Sequence, residues 1–335
     1  MAEAFFQLSV RDRRDALEFA ASASGRPAHL LEKDVWVVWA LATLFSSPIA
    51  EHLVFKGGTS LSKVYAAIRR FSEDIDLTYD IRELIPDLVG DRAEALPPNR
   101  SQEKRWTREV RARLPQWTAE TVVPELQKAI DREHLPATLR SEEEKVFIDY
   151  ERLAVGSGYV SPSVMLEFGA RSTGEPAEVH RIGCDAADHL KTLTFPEASP
   201  RVMRAERTFW EKATAVHVFC LQRRLRGDRV ARHWHDLVRL DDAGYAGAAL
   251  RDRELALAVA RHKAMFFAEK DAEGRAIDYT AAVTGNICLV PEGAAQEALA
   301  DDYRRMIDDG LLLNDEEAFE VLIERCRSLE RKANA

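Results

Sequence analysis

The sequence predicts an α+β fold, and three observations carry that reading. Short apolar or alternating runs in the first half, Leu53–Phe55, KVFIDYERL and YVSPSVMLEFGARS, have the period of strands. From residue 191 onward the apolar residues recur at helical spacing. Between His52 and Asp80 the words HLVFKGGTSLSKVYAAIRRFSEDIDLTYD read as strand, double-glycine turn, helix and second strand. The chain is expected to divide into an N-terminal lobe over 1–190 that carries a small mixed sheet, with a helical insertion at about 86–145, and a mainly helical lobe over 191–335. The functional site is expected between them.

Composition sets the outer limits. The 335 residues suffice for one large or two modest cores. With 46% hydrophobic and 31% charged residues, the chain has an ordinary soluble composition. A formal net charge of −9 excludes a surface coated in cations, so any contact with nucleic acid must be local. Cys184, Cys220, Cys288 and Cys326 stand far apart without a CxxC, as expected of reduced thiols in the cytoplasm. The start MAEAFFQLSVRDRRD lacks the order of a secretory signal, and the apolar run Val35–Phe45 is shorter than the ~20 residues that cross a bilayer. No membrane partner is expected.

Ser9 is placed to cap a helix over about Val10–Ala23, Gly25 to stop it and Pro27 to open the next. That next helix, PAHLLEKDVWVVWALATLFSS, turns apolar on every side, which predicts a buried support for the sheet with Glu32, Lys33 and Asp34 as a solvated first turn. The central unit follows, its helix expected over about Thr59–Arg70. Residues 86–144 read as long charged helices, NRSQEKRWTREVRARL and QWTAETVVPELQKAIDREH, with breaks at Pro97–Pro98 and Pro115. Arg100, Lys104, Arg105, Arg108, Arg111 and Arg113 make the first of these basic. It reads equally as a helix that tracks an RNA backbone or as one solvated and ion-paired to Glu103 and Glu109.

In the strand that follows, Val164, Leu166 and Phe168 alternate with Met165, Glu167 and Gly169. A carboxylate on such a strand is costly to bury unless it is paired or binds a metal, so Glu167 is either an edge residue in water or a third acid. A proline-bounded loop, TFPEASPRVMRA, then leads into a helix over about Ala205–Leu225, with Phe209, Ala213, Val216 and Cys220 as its core stripe and Trp210 and His217 beside it. Cations from Arg201 to Arg232 outnumber acids, which marks this stretch for a polyanion. Further helices are expected in RDRELALAVARHKAMFFAEK and AAQEALADDYRRMIDDGLLL, with AIDYTAAVTGNICLVPEG as an irregular link. Asn314 and Glu317 resemble a capping box for a last helix striped by Phe319, Leu322, Ile323 and Cys326.

Chemistry concentrates in the central unit. Alternate residues of a strand share a face, so Asp74 and Asp76 can hold a divalent cation between them. Gly57 and Gly58 let the backbone approach a ligand, and the free amides of the following helical turn suit a phosphate. Thr59 and Ser60 add hydroxyls, and Lys56 and Lys63 add charge. A phosphate cradle beside two carboxylates is what nucleotidyl transfer requires. Either feature alone is most often a plain turn or a solvated face. His233, His235, Cys184, His189, His217 and Cys220 lack zinc spacing, and there is no GxSxG, Walker or GxGxxG motif.

The words FKGGTSLSKVY and RFSEDIDL, with ERTFWEK and RHWHDLVRL later, resemble the AbiEii/AbiGii toxin family, to which the MenT toxins belong, within the DNA polymerase β-type nucleotidyltransferases. Where that superfamily often has Gly-Ser, this chain has Gly57-Gly58. The resemblance implies a nucleotidyltransferase sheet and catalytic roles for Asp74, Asp76, Lys212 and Asp236, with Lys212 contacting phosphate. Magnesium would be held by Asp74, Asp76 and Glu167. The nucleotide would meet Lys56, Gly57, Gly58, Thr59, Ser60, Lys63, Arg70, Ser72 and Glu211.

It further implies a toxin that moves a nucleoside monophosphate from a nucleoside triphosphate to RNA, expected to be the 3′ end of tRNA. A cognate antitoxin is implied too, one that need not touch this protein. Nucleotidylation of a protein hydroxyl is the first alternative. A non-catalytic module that binds nucleotide or RNA is the second, and the presence of both Asp74 and Asp76 ranks it last.

Overall fold

Helices α1 (Val10–Ser24) and α2 (Ala28–Phe45) pack on each other in the computed structural model, which describes residues 3–70, 72, 74–154, 161–225, 229–312 and 315–335. Ser9 caps α1 by accepting from the Asp12 amide at 3.1 Å, and Gly25 ends it in the left-handed region at φ 74°. Helix α2 is buried on nearly every side from Leu31 onward. Glu32 and Lys33 are only 2% and 3% exposed, which overturns the expectation of a solvated first turn. Glu32 accepts from the amides of Leu153 and Ala154 at 2.8 and 3.1 Å, Asp34 accepts from the Asp185 amide at 2.7 Å, and Lys33 donates to the Ser161 carbonyl at 3.3 Å. A helix with no polar face has no solvent side, so these charges become partners for loop backbone. Burial raises the Glu32 carboxyl pKa against the lowering effect of those two amides.

The fold is α+β. Its main sheet has seven strands: β1 (Leu53–Lys56), β2 (Ile75–Tyr79), β3 (Ala137–Glu142), β4 (Lys145–Tyr150), β5 (Ser163–Gly169), β6 (Ala177–Val179) and β7 (Arg201–Met203). Their order is β3-β4-β5-β2-β1-β7-β6, which puts β2 at the centre. It is a mixed sheet: β2 runs antiparallel to β1 and parallel to β5, β4 is antiparallel to β3 and β5, and β7 is parallel to β1. Three strands lie where the sequence reading has none, the short edge strand β6 among them. Residues 137–142 fall in the expected helical insertion, yet they pair along their length with β4 and turn through Glu143 at φ 52°. Residues 201–203 fall in the expected loop, but Val202 pairs with Phe55.

Two further boundaries differ from expectation. Helix α3 (Gly57–Lys63) stops a full turn and more before Arg70. Beyond it Ala66 takes φ 47°, and Ala67 and Ile68 turn into a core with Phe209 and Trp210. Burying those apolar groups is worth more than continuing a helix, roughly 1.5–3 kcal/mol for a large side chain. Helix α4 (Arg100–Trp117) passes through Pro115 without a break and continues by a π turn (Thr118–Val122) into α5 (Val123–Glu133). The wider π turn follows the residue whose ring and missing N–H disturb regular pairing.

Contacts group the chain into two compact units, Met1–Thr59 with Glu73–Leu88 and Arg108–Val202, and Ser60–Ser72 with Val89–Thr107 and Met203–Ala335. The first holds the main sheet. In the second, α6 (Ala205–Gln222), α7 (Arg232–Asp242), α8 (Tyr245–Arg251), α9 (Arg253–Phe266), α10 (Ala294–Asp308) and α11 (Phe319–Ala333) enclose one apolar core. Its buried indoles are satisfied, Trp210 donating to the Ala249 carbonyl at 3.1 Å and Trp234 to that of Leu289 at 2.8 Å. Asp302 accepts from the Arg229 and Ala231 amides at 3.0 and 2.8 Å, just ahead of α7. The last helix opens at Phe319 after Ala318 with no side-chain cap, so Glu317 is not its third residue; Asn314 lies outside the described residues. Leu322, Ile323 and Cys326 are its buried stripe. Among the described residues no helix is long and apolar enough to cross a membrane.

Candidate active site

Strand alternation decides which side chains can meet. In β2 Ile75 and Leu77 are fully buried, and Asp76 between them points to the opposite face. The register then sets Lys56 of β1 beside Asp76, Asp76 beside Glu167 of β5, and Glu167 beside Lys145 of β4. Register partners share a face, so one row crosses four neighbouring strands as lysine, aspartate, glutamate, lysine. Lys145 Nζ lies 3.3 Å from Glu167 Oε2, and both are partly exposed.

The glycine corner closes on the same row. Gly57 has φ +80°, and a Cβ built there would fall 2.7 Å from Asp76 Cγ and 2.9 Å from Asp76 Cβ, with Oδ2 nearer still. Only glycine satisfies both the positive φ and the close approach. The Asp76 carboxylate is thus seated against the turn between β1 and α3. Asp74 stands just before β2, and its carbonyl accepts the Thr59 hydroxyl at 2.6 Å. Thr59 and Ser60 are buried at 2% and 0% exposure, and Gly58 is buried beside them. Lys56, Lys63 and Ser72 are half-buried.

Asp74 and Asp76 carry hard oxygen donors, the ligand type of magnesium, which takes one or two carboxylates and completes its shell with water and substrate phosphate. Glu167 is in register with Asp76 and lies 3.3 Å from Lys145. Among the described residues no three His, Cys, Asp or Glu side chains gather as a metal site.

A second constellation lies within the helical unit. Arg70 grips Asp236 with two bonds, Nε to Oδ1 at 2.6 Å and the second guanidinium nitrogen to Oδ2 at 2.8 Å. Lys212 Nζ is 2.9 Å from Oδ2. Asp236 is 0% exposed, Arg70 6% and Lys212 9%. Burial would raise the Asp236 carboxyl, but Arg70 and Lys212 together hold it well below the usual carboxylate range. His235, also 0% exposed, sits between Asp236 at 3.5 Å and Asp315 at 3.3 Å, and Arg239 backs Asp315 at 3.0 Å. Burial lowers the His235 pKa, the two carboxylates more than reverse it, and the net shift is upward. Glu211 lies 3.2 Å from Arg207, one turn away on α6.

The site residues named from sequence therefore fall into two groups. Asp74, Asp76, Glu167, Lys56, Gly57, Gly58 and Thr59 belong to the sheet unit, and Ser60, Lys63, Arg70, Ser72, Glu211, Lys212 and Asp236 to the helical unit. Sequence reasoning missed Lys145, whose signal is only its register with Glu167, and Asp315, for which there is no local signal.

A central strand carrying an acid against a glycine turn, in a mixed sheet of this kind, is the arrangement of a nucleotidyltransferase. The family described as "Nucleotidyl transferase AbiEii toxin, Type IV TA system" matches residues 39–325, and the chain belongs to it. No curated protein matches the chain. Among solved structures it is similar to JHP933 from Helicobacter pylori, at 15% identity and a TM-score of 0.38 over 90% of this chain and 89% of that one. It is also similar to MenT4, a nucleotidyltransferase toxin from Mycobacterium tuberculosis H37Rv, at 17% identity and a TM-score of 0.35 over 97% and 98%.

Proposed function

We propose that this toxin-family nucleotidyltransferase moves a nucleoside monophosphate from a nucleoside triphosphate to the 3′ end of tRNA and releases pyrophosphate. The supporting observation is the Asp76 carboxylate seated on Gly57, which sets an acid beside the backbone where a phosphate would approach. Asp74 and Asp76 would hold Mg2+, with Glu167 as the third acid. When bound, that ion would offset the charge of the triphosphate and align the attacking hydroxyl. The Gly57–Ser60 turn would bind phosphate by its amides, and Thr59 would fix Asp74 through the hydroxyl bond it already makes. Lys56, in the same row as Asp76, would balance charge there. Lys212 would contact phosphate, with Asp236 as the residue that positions it. Family membership supports a toxin with a cognate antitoxin, which need not touch the protein.

The test incubates the chain with total tRNA, magnesium and each nucleoside triphosphate in turn, read by RNA mass. The wild type is expected to add one nucleotide or more. Asp76→Asn, which keeps the side chain's shape, is expected to lose activity by about 100-fold or more. A folded Asp76→Asn variant with undiminished incorporation would overturn the metal role, and label passing to protein instead of RNA would favour a protein hydroxyl as acceptor.

A further inference from the structure

Helix α4 carries charge that the reaction does not use. Between Arg100 and Trp117 stand six cations and two acids, in a chain whose net charge is −9. Trp106, Val110 and Leu114 are buried at 1%, 3% and 5% exposure, which fixes the rotation of the helix. Lys104, Arg105, Arg108 and Arg111 therefore face outward, and all four are exposed. Residues 104, 108 and 111 follow the spacing of one helical face, a row of about 10 Å.

Internal pairing is the competing account of such a row, and it leaves most of these charges unmet. Glu103 accepts the Thr107 hydroxyl at 2.8 Å. Glu109 lies 3.4 Å from Arg113, which Asp87 also holds, and 3.6 Å from Arg108. Lys104, Arg105 and Arg111 have no ion pair among the described residues. In the other basic stretch five cations are met within the protein, while Arg224 and Arg232 have no ion pair among the described residues. Arg201 pairs with Glu175, Arg204 with Glu206, Arg207 with Glu211, Lys212 with Asp236 and Arg223 with Glu273.

We infer that the outward row Lys104, Arg105, Arg108 and Arg111 docks the sugar-phosphate backbone of the acceptor RNA, apart from the reacting groups. This rests on the reading of RNA as acceptor. Like charges one turn apart repel, so the row is relieved when phosphates enter it, and guanidinium forks match phosphate oxygens. Such contacts carry no base preference, so they would hold the RNA and leave choice of nucleotide to the site.

The full chain and its K104Q/R105Q/R108Q/R111Q variant would be titrated with fluorescently labelled tRNA over a range of salt, and incorporation measured in parallel. Every phosphate that the variant leaves without a cation is expected to lower the slope of log K against log salt by roughly 0.7–0.9, about 3 in total. KM for tRNA should rise about ten-fold or more while kcat at saturating tRNA stays within about two-fold. The charge-conserving K104R/R105K/R108K/R111K variant should keep the wild-type slope. A quadruple Gln variant with native circular dichroism and an unchanged slope would overturn the docking row while RNA transfer stands. A wild type that binds no tRNA would overturn both.

Discussion

Replacing Gly57 by alanine should displace Asp76 and little else. Two terms follow from the structure. At φ +80° an alanine pays the left-handed penalty of about 1–2 kcal/mol. Its Cβ would also lie 2.7 Å from Asp76 Cγ, against a comfortable carbon–carbon separation of about 3.5–4.0 Å. The aspartate must therefore retreat by about 1 Å, and a misplacement of that size at a reacting centre can lower the rate about 100-fold. Gly244 supplies the control, because it has φ +84° and nothing within 4 Å of a built Cβ. Gly244→Ala carries the backbone term alone. Chemical denaturation and incorporation of labelled nucleotide would be measured on both. Gly244→Ala is expected to lose about 1–2 kcal/mol of stability and Gly57→Ala at least as much, and only Gly57→Ala to lose activity about 100-fold. Gly57→Ala activity within two-fold of Gly244→Ala would refute the claim that the glycine exists to seat the carboxylate.

Two further outcomes concern the helical unit. Asp236→Asn leaves Arg70 and Lys212, 6% and 9% exposed, facing a neutral amide, and should cost about 3–5 kcal/mol in urea unfolding; a loss below about 1 kcal/mol would remove Asp236 from the role of buried anchor. His217 is held neutral by burial, its pKa lowered from 6.5 to about 4, and its Nδ1 accepts from the Cys288 amide at 2.9 Å. The unfolded chain binds this proton first, so stability is whole above about pH 6.5 and falls as pH drops toward 4, by about 3 kcal/mol in all. His217→Asn, whose carbonyl oxygen replaces Nδ1, should show a shallower fall than wild type across that window, and parallel curves would exclude His217 as the source.

Elements whose signal is local were legible in the sequence. Ser9 and Gly25 bound α1 as their side chain and φ require, and the alternation of Val164, Leu166 and Phe168 gave β5 with Glu167 on the other face. Elements whose existence depends on a distant partner were not. Residues 137–142 carry Arg140 and Glu142 and have the composition of a solvated helix, yet they are the edge strand that β4 pairs with. Propensity for a charged edge strand is weak, and pairing supplies what propensity lacks. The early end of α3 has the same cause, since Ala67 and Ile68 leave the helix to join a core formed with α6.

The same division runs through the site, and it separates two kinds of carboxylate. Asp76 was readable because its partners are near in sequence: the strand period fixed its face, and the double glycine fixed what it faced. The surroundings of Asp236 were not readable, because Arg70 lies 166 residues away and the short helix of which Asp236 is part shows nothing of its burial. Arg70 and Lys212 take three of the about four acceptor positions of the Asp236 carboxylate, which is itself 0% exposed. The contacts it makes hold the two cations in place, whereas Asp76, for which we propose the metal role, rests on glycine backbone. This gives Asp236→Asn a signature distinct from Asp76→Asn: the first should lower stability and weaken activity together, and a stabilising osmolyte should recover part of both, whereas the second should lower activity at unchanged stability, and the osmolyte should not restore it.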